Sequence, residues 1–101
     1  MNTAPYGNSP QHIIEGILID NFNDAFESGS DMNVAGQKAA LILNGLKDED
    51  GSFNIRTEQF EVLTQIASRA VVGRAIMKDK SEAETLEQFA KFVEAIGQHW
   101  K

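Results

Sequence analysis

Four groups of residues invite chemistry: two histidines, six serines, an acidic run and one knot of bases. His12 has Glu15 at i+3, so the two share a helix face. That pair is half of the Glu-x-x-His logic of carboxylate-bridged metal bundles, and the chain offers no second pair. His99, near the end of the chain, complements the negative end of a helix dipole. The acidic run Asp48-Glu49-Asp50-Gly51 invites a calcium loop. Such a loop needs oxygen ligands at positions 1, 3 and 5, glycine at 6 and glutamate at 12. With Gly51 at position 6, Leu46 falls at 1 and Thr57 at 12. With Asp48 at position 1, Phe53 stands where glycine is required. Neither register works, so the expectation is a solvated turn and no metal.

Catalysis finds no better footing. Ser9, Ser28, Ser30, Ser52, Ser68 and Ser81 read as caps, turns or helix surface, and none lies in G-x-S-x-G or S-x-x-K. No phosphate-binding glycine loop occurs. Cysteine is absent, which excludes thiolate nucleophiles, zinc–sulfur sites and disulfides. The chain reads as a non-enzyme without a cofactor.

The bases Arg69, Arg74, Lys78 and Lys80 form the one local cationic cluster. Arg74 and Lys78, four apart, suit a phosphate or carboxylate, giving a candidate ligand site of Arg69, Arg74 and Lys78. A plainer account is that cations gather at the C-terminus of a helix. Opposite in sign is the first half of the chain: residues 1–50 hold eight acids and two lysines, so the net charge of −6 resides there. That imbalance disfavours nucleic acid, whose phosphates need neutralising by Lys and Arg. It suits a basic protein surface. Candidate partner-binding residues are Glu15, Asp20, Asp24, Glu27 and the penultimate Trp100. Scattered acids do not make the phosphate-like rows of a DNA mimic.

Helices must carry these residues. Both prolines, Pro5 and Pro10, lie near the start, so nothing interrupts residues 11–101. Residues 1–8 read as a flexible tail and 9–101 as one domain. Ser9-Pro10 starts a first helix to about Glu27, with Ile13, Ile14, Ile17, Leu18, Phe22, Ala25 and Phe26 on a wide apolar arc. Asp31 caps a second, about 32–46, whose Ala35, Gly36 and Ala39 admit a neighbouring backbone. Lys47 to Ser52 is a loop, with Phe53 to Ile55 anchoring it on the core. Thr57 caps a third helix over 58–78. Its expected core face is Phe60, Val62, Leu63, Ile66, Ala67, Ala70, Val71 and Met77, with a bend or two-sided burial near Gly73. Ser81-x-x-Glu84 is a capping box for the fourth. The stripe Leu86, Phe89, Ala90, Val93, Ile96, Gly97 and Trp100 follows.

The fold class is therefore all-α, a small four-helix bundle-like domain. No apolar run reaches the ~20 residues that span a bilayer. No leader segment is evident, and a cysteine-free helical domain suits the cytoplasm. Two polar positions break the apolar arcs, Glu15 in the first helix and Arg74 in the third. An ion pair between them is one account; exposure of Arg74 is another. Apolar positions exceed what one core face needs, which points to a homo-oligomer. The function expected is an adaptor, inhibitor or immunity-type interaction protein, binding through an acidic and apolar surface of its first two helices. The alternative is a nucleotide or phosphate binder using Arg69, Arg74 and Lys78.

Overall fold

Local chemistry, a proline at the first and side-chain hydrogen bonds at the other three, sets the four helix starts. In the computed structural model, which describes residues 9–49 and 53–100, they are α1 Pro10–Ser28, α2 Met32–Glu49, α3 Thr57–Met77 and α4 Glu82–His99. The expected tail, the tip of the acidic loop and the terminal lysine lie outside the described residues. Ser9 is extended and Pro10 opens α1, as expected, although the Ser9 hydroxyl donates to Gln11 Oε1 at 2.6 Å instead of capping. Asp31 Oδ1 accepts from the Asn33 amide at 2.7 Å and more weakly from Val34. Ser81 Oγ accepts from the Glu84 amide at 3.2 Å, one half of the expected capping box. At α3 the expectation is one residue off. Thr57 is inside the helix, Arg56 is the cap position, and Gln59 Oε1 reaches back to the Arg56 amide at 2.9 Å.

Two helix ends share one device. Gly29 takes φ +75°, and the Ser30 amide bonds back to the Ala25 carbonyl at 2.8 Å. After α3, Asp79 takes φ +59°, and the Lys80 amide reaches the Ala75 carbonyl at 2.8 Å. Both are left-handed C-terminal caps, with an aspartate holding the second position that glycine fills in the first.

Around the bundle the order is α1, α2, α4, α3, since α2 packs on α4, α1 on α3, and the consecutive pairs α1–α2 and α3–α4 are neighbours. The diagonal pair α1 and α4 touch through a phenylalanine cluster. Phe22 stacks on Phe26 at 5.2 Å and meets Phe89 and Phe92 edge-on at 5.1 and 5.6 Å. The other diagonal pair, α2 and α3, stand apart at opposite corners. The small residues Ala35, Gly36 and Ala39 of α2 are buried as expected, together with Met32 and Leu43. Ile42 is not, and α2 runs to Glu49, taking in the start of the expected loop. Gly36 sits so close to α4 that a Cβ there would come within 2.5 Å of Ala95 Cβ and 2.7 Å of the Phe92 carbonyl. Ile55 is buried and Phe53 packs on the core, so that anchor is as expected.

On α3 and α4 the inward faces differ from the periodic reading. The buried residues of α3 are Leu63, Ala67, Val71 and Ala75. Val62, Ile66, Ala70 and Met77, expected inside, are exposed. The helix runs unbroken through Gly73, which faces open space, so burial on both sides there is corrected. On α4, Phe92, Thr85 and Ala95 are buried with Phe89 and Ile96, while Leu86, Ala90 and Gly97 face out. The physical reason is that α1 and α2 both lie on the Phe92 side of α4. Thr85 tolerates burial because its hydroxyl donates to the Ser81 carbonyl at 2.7 Å.

Candidate interaction surfaces

Glu27, in the last turn of α1, is the hub of the charged residues. Its carboxylate takes two hydrogen bonds from the Arg74 guanidinium, at 2.5 Å from Nε and 3.1 Å from Nη2. Lys78 Nζ lies 3.9 Å away. The hydrogen bond from Arg74 holds the Glu27 carboxyl below its ordinary value. Partial desolvation opposes that, and the charges of Arg74, Lys78 and Lys80 add to it. Arg74 is raised in turn, first by the bond to Glu27 and its charge, with weaker help from Asp24 and Asp20. Lys80 lies over the Phe26 ring at 5.3 Å. The suggested Glu15–Arg74 pair is therefore corrected. Glu15 is half-buried a little over three turns earlier on α1, and Arg74 meets Glu27 because the C-terminal ends of α1 and α3 lie together.

The structure thus joins two groups that the sequence kept apart, a ligand site and an acidic partner site. Arg69, Arg74 and Lys78 do line one open groove of about 640 Å³, with Ala70, Gly73 and Met77. Of the acidic candidates, Asp20 and Asp24 are exposed on α1, while Glu27 is engaged by the bases. Trp100 is half-buried. Its ring packs on Phe60 at 5.3 Å under Lys47, closing one end of the bundle. His12 and His99 are far from this cluster; the His99 carbonyl accepts from the buried Asn44 at 3.0 Å. Among the described residues no group of three or more His, Asp or Glu could hold a metal ion. No helix among them is long and apolar enough to cross a membrane.

Leu86 is exposed on α4 beside a groove it shares with α3, and the larger outward apolar faces are on α2 and α3, at opposite corners. On α2, Val34, Leu41 and Ile42 are exposed, Leu41 at 65%. Beside them a groove of about 220 Å³ between α1 and α2 is lined by Asn21, Asp24, Val34 and Lys38, among others. On α3, Val62, Ile66, Ile76 and Met77 are exposed, Met77 at 86%. Sequence reasoning spent three of these four on the core. The signal that could have found them is the surplus itself: α3 carries apolar residues on more than one face, and a bundle helix at a corner needs one. Searches of family models, curated proteins and solved structures find no match to this chain.

Proposed function

We propose that this chain is a non-enzymatic, cytoplasmic interaction protein of adaptor, inhibitor or immunity type, docking a partner protein on the α1–α2 face. One observation carries the reading: exposed Asp24 on α1 shares a groove with exposed Val34 and Lys38 on α2, whose outward side continues to exposed Leu41. Apolar contact supplies affinity, and the acids select a basic partner surface and speed encounter. The test compares immobilised wild type with Leu41→Asp and Ile66→Asp as bait in host lysate. A foreign protein retained by the wild type and Ile66→Asp, and lost from Leu41→Asp, supports the reading. An identical retained set on all three sinks it.

A second reading, anion binding, is favoured by the shared groove of Arg69, Arg74 and Lys78. An anion there must displace Glu27 from Arg74. Thermal shift with a panel of nucleotides tests it: a rise in Tm that Arg74→Ala abolishes and Lys38→Ala leaves supports it, and no rise at all discards it.

A further inference from the structure

The end of the bundle where α3 starts and α4 finishes keeps an opening beside two aromatic rings. Phe60 and Trp100 meet at 5.3 Å with their planes tilted by 40° rather than stacked, and both stay half-buried. With Ile55, Arg56, Thr57 and Gly97 they line a pocket of about 260 Å³. That is room for a single-ring molecule, less than the roughly 300 Å³ and more of drug-sized sites. The walls differ in kind. Ile55 belongs to the core and the rings are apolar, whereas Arg56 is exposed and takes part in no ion pair among the described residues. No acid lines the pocket, and Glu58, two residues beyond Arg56, is exposed outside it. Gly97 lies inside α4, where glycine weakens a helix. A Cβ there would meet nothing within 4 Å, so packing within the chain does not call for it. What the missing side chain leaves is open pocket wall beside Trp100.

We infer that this pocket binds a small planar aromatic carboxylate, with its ring against Phe60 and Trp100 and its carboxylate on Arg56. Aromatic rings favour tilted and offset contacts with one another, and the guanidinium fork matches a carboxylate in two parallel hydrogen bonds. Arg56 and Phe60 are four residues apart, so charge and ring lie within reach of one small molecule. The Thr57 hydroxyl stands beside them as a second polar contact. Lys47 lies 5.5 Å over the Trp100 ring without lining the pocket, so it steadies the ring from outside and adds positive potential. A bare anion would gain nothing from the rings, and an uncharged ring nothing from Arg56. The site stands at the start of α3, whereas the groove of Arg69, Arg74 and Lys78 stands at its end, and it is independent of both readings above.

Trp100 is the one tryptophan of the chain, so its emission reports on this pocket. Phenylacetate is titrated into the protein at fixed ionic strength, with excitation at a wavelength the acid does not absorb. Phenylacetamide, which lacks the charge, and cyclohexylacetate, which lacks the flat ring, are titrated beside it. Phenylacetate is expected to change the emission saturably, with binding weaker by about tenfold for the amide and by several-fold for the cyclohexyl acid. Arg56→Gln should weaken phenylacetate by about tenfold and leave phenylacetamide as it was. Gly97→Leu, which fills the pocket from an exposed position, should abolish the response, and Gly73→Leu in the other groove should keep it. Circular dichroism melts check that each variant folds, and the Arg56→Gln comparison stands alone if Gly97→Leu does not. A response that is absent or does not saturate overturns the inference. So does equal affinity for acid and amide, or wild-type binding by folded Gly97→Leu. A response lost from Gly73→Leu and kept by Gly97→Leu puts the anion in the other groove and overturns it too.

Discussion

Gly36 and Gly73 both sit inside helices, the first near the start of α2 and the second near the end of α3. Around Gly36 the α4 backbone comes so near that no side chain fits; around Gly73 there is only solvent. The first glycine exists for a contact within the chain. The second lies in an open groove lined by Arg69, Arg74 and Met77, where no neighbour within the chain calls for a missing side chain. The contrast separates the part of this protein devoted to being folded from the part left over for something else. It teaches that in a helical domain small and apolar residues report a close approach, and only the packing tells whether the approach is internal.

The widest test of that contrast uses large side chains. Phe92→Ala, in the phenylalanine cluster, should cost about 3–5 kcal/mol, whereas Met77→Ala, on the open face, should change stability by less than about 0.5 kcal/mol. Urea unfolding monitored by circular dichroism reads both. Next come the glycines themselves. Gly36→Ala should destabilise by about 1–3 kcal/mol, because the added methyl must push back α4 backbone. Gly73→Ala should stabilise by up to about 1 kcal/mol through helix propensity alone, at concentrations where the chain is monomeric. Equal effects at the two sites would erase the distinction. At the end of α3, Asp79→Gly should raise stability by about 1 kcal/mol or less, relieving a left-handed aspartate.

Smallest is the ion-pair hub. Glu27 titrates below its ordinary 4.5 in the folded protein. The unfolded chain therefore takes up the proton first, so the pair's contribution is present above about pH 4.5 and disappears as pH falls through the lower folded value. The urea midpoint of wild type should fall more steeply below pH 4.5 than that of Glu27→Gln. Parallel curves would show that the pair is not formed in solution.

Helix starts were legible because caps are local: Asp31 and Ser81 bond amides two and three residues away, and the sequence alone displays that. The small residues of α2 were legible for a related reason, since Ala35, Gly36 and Ala39 leave no bulk to keep a neighbour off. Which way α3 and α4 turn was not. Leu86 and Phe92 are both apolar, and only the positions of α1 and α2 select Phe92. Thr85 looks polar until its hydroxyl is seen satisfied by the Ser81 carbonyl. Of the candidate site, the ingredients were visible and the partnership was not. Arg74 was marked as an oddity and Glu27 as an acid, but their meeting depends on α1 and α3 ending at the same end of the bundle.

The corner placement of α2 and α3 also bears on how the chain folds. Each antiparallel pair, α1 with α2 and α3 with α4, is local in sequence and closes a short loop cheaply. The aromatic cluster belongs to neither pair, because Phe22 comes from one and Phe89 and Phe92 from the other. The same holds for the Gly36 contact. Two helical hairpins must therefore dock before either has a core. A chain severed between α2 and α3 should give two halves that are largely unstructured apart and regain helix when mixed.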